Sequence, residues 1–264
     1  MELIDTHCHL QFEEYKDRED EILADASHRG VKRIICVGTS LVDSKEAVGL
    51  ASSKDNIWAT TGVHPHEAGK FLADLNGSKK LKKIAGLPRV VAIGETGLDF
   101  YKQFSAKDAQ ERALRTHIEV SLELGLPLVF HIRDALPAGR QAWDDFWQIF
   151  DAYPNLRGVV HSFSADTKQL NETLSRGLFI GLNGIMTFTK DANQLAAAKA
   201  VPLDRLMLET DAPFLTPAPF RGEVCEPKHI ATIAEFLADL RGEDPKVLAK
   251  VTTNNAVRLF GLEG

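Results

Sequence analysis

Leu3-Ile4-Asp5-Thr6-His7-Cys8-His9 begins as a short apolar run and ends in two imidazoles two residues apart. Positions i and i+2 of a β-strand face the same side, so His7 and His9 can reach one metal ion together. A lone His-x-His is not specific; its meaning comes from how the pattern recurs along the chain. Further β-rich runs occur at Arg33 to Val37, Ile57 to Thr61, Val90 to Ile93, Pro127 to Phe130, Gly158 to Val160, Leu178 to Leu182 and Arg205 to Leu208, making eight with the first. Longer segments with helical periodicity lie between them, the cleanest from Ala106 to Gly125. There Ala109, Ala113, Leu114, Ile118, Ser121, Leu122 and Gly125 form one small or apolar stripe. Gly125 ends that helix, and Pro127 opens the next strand where a missing N–H costs least. Eight such alternations imply parallel βαβ units, and about 250 residues suffice to close them into a (β/α)8 TIM barrel. An open doubly wound sheet is the alternative, disfavoured because no Gly-x-Gly-x-x-Gly turn follows the first strand.

The metal-capable residues fall in one kind of place. His7 and His9 end the first run, Glu95 the fourth, His131 the fifth, His161 the sixth and Asp211 the eighth. In a parallel barrel the C-terminal strand ends converge on one face, where such folds build active sites. Taken singly, each residue reads as a loop histidine or a helix-capping acid. Taken together, the six predict one assembled metal site on that face.

Composition narrows the function classes. The chain has 264 residues, 44% hydrophobic and 26% charged, as expected of an ordinary globular protein folding as a single domain over 1–264. No apolar run approaches the ~20 residues that span a bilayer, and Met1-Glu2 lacks the basic start of a secretory signal. Cys8, Cys36 and Cys225 are odd in number and widely spaced, which predicts neither a disulfide framework nor a zinc finger and suits a reducing cytoplasm. A net charge of −6 argues against sequence-independent nucleic-acid binding through a broad basic surface. It leaves room for a nuclease, because bound divalent ions bring positive charge to where a phosphate must sit.

Six motifs carry a family resemblance: Asp5-Thr6-His7-Cys8-His9, Gly62-Val63-His64-Pro65-His66, Gly94-Glu95-Thr96-Gly97-Leu98-Asp99, His131-Ile132-Arg133, His161-Ser162-Phe163-Ser164 and Glu209-Thr210-Asp211-Ala212-Pro213. They resemble those of the TatD-like metal-dependent deoxyribonucleases of the amidohydrolase superfamily, from Leu3 to the tail Asn255-Ala256-Val257-Arg258-Leu259-Phe260. The resemblance implies a (β/α)8 barrel and a two-metal hydrolase. One ion would be held by His7, His9 and Asp211, the other by His131 and His161, with Glu95 bridging the pair. Mg²⁺ or Mn²⁺ suits the family's DNase activity, whereas four imidazoles suit Zn²⁺ better. Two ions about 4 Å apart activate water, polarise a phosphoryl oxygen and stabilise a leaving oxygen. Asp211 is the candidate general base and Glu95 the natural bridge. The expected substrate is DNA, as a single strand or strand end threading into an acidic barrel mouth, cleaved exonuclease-fashion, with no membrane and no obligate protein partner. A small amide or ester hydrolase using the same site is the alternative, since fold does not fix substrate. A non-catalytic metal-binding scaffold is a third reading, disfavoured because all six ligand candidates and the base are present.

Further residues receive narrower expectations. His64, in the Gly-Val-His-Pro stretch, is assigned to substrate contact, with His66 a lesser candidate. Arg133 and Arg221 offer paired donors matched to phosphate oxygens; alternatively each forms a salt bridge with a neighbouring acid. Asp5 either orients a ligand imidazole or is a buried acid bonded to backbone. His28, His117 and His229 read as structural or surface residues, and Lys79-Lys80 with Lys82-Lys83 as a solvated helix face that could guide a polyanion. Cys225 and Ala165 stand where the family commonly has asparagine and glycine. Leu136 to Ala142 reads as a loop insertion, because without it His131-Ile132-Arg133-Asp134-Ala135 would run directly into Trp143-Asp144.

Overall fold

The computed structural model describes residues 1–135 and 141–262. Its eight strands are β1 (Leu3–Cys8), β2 (Val31–Cys36), β3 (Ile57–Thr61), β4 (Val90–Asp99), β5 (Leu128–Arg133), β6 (Gly158–Val160), β7 (Phe179–Leu182) and β8 (Leu206–Leu208). Ten α-helices occur among the described residues: α1 (Glu19–His28), α2 (Leu41–Ser53), α3 (Ala68–Ala73), α4 (Gly77–Ala85), α5 (Lys107–Leu124), α6 (Ala142–Phe150), α7 (Thr167–Ser175), α8 (Ala192–Ala200), α9 (Ile230–Arg241) and α10 (Pro245–Phe260). The strands are hydrogen-bonded in chain order from β1 to β8, and a parallel bridge from Cys8 to Ala212 brings the segment that follows β8 beside β1. This is the (β/α)8 barrel that the alternation of strand and helix predicts.

Contacts divide the chain into two compact units, Met1–Cys36 with Ser162–Gly264, and Val37–His161. The first contains β7, β8, β1 and β2. Its pairing is parallel, with Cys8 opposite Cys36 and Leu182 opposite Leu208. The second contains β3 to β6, where Gly97 stands opposite His131 and Asp99 opposite Arg133.

In the second unit, packing outside the sheet fixes what faces the other side. Phe130 of β5 meets Phe146 and Phe150 of α6 edge-on, at ring separations of 5.0 and 5.9 Å. By strand alternation His131 then faces the opposite side from Phe130. Helix α5 runs as expected and ends at Gly125, but its buried residues are Gln110, Ala113, Leu114, His117, Ile118, Val120 and Ser121, while Leu122 is exposed. Leu122 lies about 120° around the helix from Gln110, so rotation, not hydropathy, decides its side. The three buried polar residues of α5 are satisfied, Ser121 donating its hydroxyl to the Leu126 carbonyl at 2.6 Å. Gln110 accepts the N–H of Asp99 and donates to the carbonyls of Asp99 and Ser105. His117 takes the N–H of Val63 on Nε2 at 2.9 Å and lies 2.7 Å through Nδ1 from the Ala113 carbonyl. His229 is buried in a reciprocal capping arrangement with Glu226, whereas His28 is exposed.

The insertion is described only in part. Leu136–Arg140 lie outside the described residues. Ala142 is fully buried as the first residue of α6, and Asp134 accepts the N–H of Trp143 at 3.2 Å. The last residue assigned to the insertion therefore belongs to the helix, because the apolar face of α6 starts at Ala142 rather than at Trp143.

Candidate metal centre

In the first unit, His7 and His9 leave β1 on the same face, with Cys8 between them on the other. Backbone bonds hold the carriers together: Asp211 donates to the His7 carbonyl and His9 to the Ala212 carbonyl, both at 2.8 Å. Asp5 reinforces this from below. One of its oxygens accepts the N–H groups of His7 and Thr210, and the other accepts the Thr210 hydroxyl at 2.5 Å. The carboxyl is fully buried, and burial pushes it up to about 7 against those hydrogen bonds. Asp5 thus is a buried acid bonded to backbone and to the Thr210 hydroxyl, one of its bonds holding the backbone of His7.

Asp211 sits at φ 60°, a left-handed conformation that aspartate tolerates better than most side chains. Its Oδ1 lies 3.6 Å from His7 Nε2 and 3.5 Å from His9 Nε2. Two ligands each bound at about 2.1 Å with a tetrahedral angle between them stand about 3.4 Å apart. The three donors therefore have the spacing, burial and chemistry of a divalent-cation triad.

In the second unit, Glu95 is the centre. Its Oε1 lies 2.8 Å from His131 Nδ1, 3.5 Å from His64 Nε2 and 3.7 Å from His161 Nε2. Glu95 does not end its strand. β4 continues four residues further, because Gly94 and Gly97 let backbone approach closely: a Cβ at Gly94 would stand 2.6 Å from the Val129 carbonyl oxygen, and one at Gly97 1.9 Å from that of His131. The continuation places Glu95, Gly97 and Asp99 on one face.

Asp99 has no role in the sequence-derived assignments, yet it is central here. Its Oδ2 lies 3.2 Å from His131 Nε2 and 3.0 Å from His66 Nε2, and its Oδ1 caps the N–H groups of Tyr101 and Lys102. Burial raises the Asp99 carboxyl, but the bonds from His131 and His66 outweigh it and hold the group well below the usual carboxylate range. Burial likewise disfavours a charged His131, and the bonds to Asp99 and Glu95 overcome it, raising the imidazole to about 9. His64 goes the other way, lowered to about 3 by burial despite nearby Glu95. The signal for Asp99 was period-2 spacing from Glu95, hidden by two glycines that ordinarily mark a strand end.

His64 stands with Glu95 and His131 as a third possible donor rather than apart from them. Arg133 is exposed and stacks over Tyr101 at 4.1 Å, while Arg221 lies 3.9 Å from the centre of the Phe188 ring and donates to the Thr216 carbonyl. The lysines of α4 are solvated, with Lys80 paired to Asp74 and Lys82 to Glu123.

A family model described as TatD related DNase matches residues 4–261. The chain belongs to that family. It is 36% identical over 267 residues to the uncharacterized metal-dependent hydrolase YcfH of Escherichia coli K12, covering 100% of this chain and 97% of that protein. It is 35% identical over 267 residues to the 3'-5' ssDNA/RNA exonuclease TatD of Citrobacter rodentium, covering 98% of each. Among solved structures, the TatD homologue YjjV of Escherichia coli K12 superposes with a TM-score of 0.88 at 28% identity, covering 98% of each chain. TatD-family membership thus accompanies a chain that presents every ligand candidate of the six motifs.

Proposed function

We propose that the protein is a divalent-metal-dependent nuclease that hydrolyses phosphodiester bonds at the end of a single DNA strand. The observation that carries this reading is the convergence of three imidazoles on one oxygen of Glu95, with ligand atoms spaced as a divalent cation requires. His7, His9 and Asp211 would hold one ion, and His131 and His161 the other, with Glu95 bridging. The chain acts as a single TatD-type domain, in the cytoplasm, without an obligate protein partner. Among the described residues no helix is long and apolar enough to cross a membrane.

When bound, the ions supply Lewis acidity that makes water acidic and polarises a phosphoryl oxygen. Asp211 accepts the proton of the attacking water on a carboxylate oxygen within the His7–His9 group. Glu95 offsets the positive charge gathered around it, and Asp99 fixes the ring of His131 through its second nitrogen. Arg133 and Arg221 present planar donor pairs to phosphate oxygens, and His64 contacts substrate beside Glu95. Mg²⁺ or Mn²⁺ supports turnover, and the imidazole-rich donor set also retains Zn²⁺. The name of the 35% identical exonuclease supports 3′→5′ polarity.

The test is turnover of purified, metal-reconstituted protein on end-labelled single-stranded DNA beside a panel of small amides and esters. Stepwise loss of nucleotides, abolished by chelator, is expected. Intact DNA with metal-dependent hydrolysis of an amide or ester would show that the site is right and the substrate wrong.

A further inference from the structure

Among the described residues, four aromatic side chains are exposed, and all follow just two strands: Tyr101 and Phe104 after β4, and Phe214 and Phe220 after β8. Every other described Phe, Tyr and Trp is buried or partly covered. Large rings left in water on loops at the C-terminal ends of barrel strands lie where substrate is handled, since that is the functional face of this fold.

Phe214 is the best placed. It follows Asp211 by three residues, and its N–H is bonded to the Asp211 carbonyl at 2.8 Å, so its position is tied to the candidate base. The residue is 49% exposed, and its ring is braced edge-on, at 6.2 Å from both His9 and Phe12. Phe12 lies flat against His9, with ring centres 4.7 Å apart and planes 16° from parallel. The braced ring is thus preorganised beside the His7–His9–Asp211 group while keeping about half its surface available.

We propose that Phe214, supported by Phe12, is the stacking platform for the nucleobase adjoining the scissile phosphodiester. This rests on the nuclease reading and deepens it. Any base presents a π-face, so stacking tolerates sequence; bases in a duplex already stack and pair, so the platform selects an unpaired strand end. Charge fits the same occupant. In an acidic protein, cations at the metal group draw in the phosphate, and an uncharged ring accepts the base with no added repulsion.

The experiment compares wild type, Phe214→Leu and Phe214→Trp on a single-stranded oligonucleotide and on the same oligonucleotide carrying abasic tetrahydrofuran residues beside the cleaved bond. Thermal melting, metal content and sedimentation are measured on each protein. The expected result is a fall in kcat/KM of about tenfold for wild type on the abasic substrate and a similar fall for Phe214→Leu on the natural one. Phe214→Leu should lose nothing further on the abasic strand, and Phe214→Trp should restore cleavage. Equal losses on both substrates, or none on either, would overturn the platform. A change of oligomeric state in Phe214→Leu would also overturn it, by assigning the ring to a contact between copies. If wild type cleaves neither oligonucleotide yet hydrolyses an amide or ester, the nuclease reading itself fails, an outcome separable from all of these.

Discussion

Oδ2 of Asp99 stands 3.2 Å from Nε2 of His131, while the other nitrogen of that ring is 2.8 Å from Glu95. A carboxylate on the outer nitrogen of a ligand imidazole fixes ring orientation and makes the inner nitrogen a better donor. Asp99→Asn keeps the shape and removes the charge. It should weaken retention of the ion on the His131 side by about 10–100-fold, read by competition with a calibrated chelator. Wild-type affinity in the variant would confine Asp99 to capping the Tyr101–Lys102 turn.

Glu95 is predicted to be indispensable to the metal complement. Glu95→Ala leaves His64, His131 and His161 without the shared anionic oxygen, so cations held nearby would repel without compensation. Loss of at least one ion and of nearly all hydrolysis is expected, with the barrel still folded by circular dichroism. Elemental analysis of the purified variant decides it; full metal content with normal activity would remove Glu95 from the site.

Much of the barrel was legible because its strands are apolar and its histidines follow them. The run from Ile57 to Thr61 and that from Gly158 to Val160 coincide with β3 and β6 to the residue. The misjudged stretches share a cause: local signals there are overruled by close contact. Gly94 and Gly97 look like strand breakers and instead admit the backbone of β5, which carries β4 on to Asp99. In α5, Leu122 looks like core and is exposed because position around the helix decides its side, Gln110 outside the apolar stripe is buried where it finds backbone partners, and His117 is the structural of its two alternatives. The spacing of His7, His9 and Asp211 across some 200 residues of sequence became readable only through the parallel strand-end logic of the fold.

Stability should fall in mild acid through His117. Its Nε2 accepts the Val63 N–H, which only a neutral ring can do, and burial lowers the imidazole to about 4 although its bond to Ala113 opposes this. The folded value lies below the unfolded one near 6.5, so the unfolded chain takes up the proton first. The contribution is therefore complete above that value and is lost as pH falls towards 4. From this group alone the loss between pH 7 and pH 5 is about 2 kcal/mol. Urea denaturation at both pH values should show His117→Gln losing that share of the pH slope; an unchanged slope would mean the ring is not the titrating group.

Asp211→Asn offers the cleanest separation of chemistry from fold. The residue occupies a left-handed φ of 60°, which asparagine adopts about as readily as aspartate, so the backbone bonds from Asp211 to His7 and from His9 to Ala212 survive the change. What disappears is the negative charge 3.5–3.6 Å from the His7 and His9 nitrogens, and with it the proton acceptor. Cleavage of single-stranded DNA should fall by ~100-fold or more, with melting temperature nearly unchanged. Chelator should abolish wild-type cleavage and Mg²⁺ or Mn²⁺ restore it, whereas neither metal should rescue the variant, because an amide cannot take the proton. Recovery of the variant to wild-type rate by excess Mn²⁺ would show that Asp211 serves only to hold an ion, and the general base would have to be sought elsewhere.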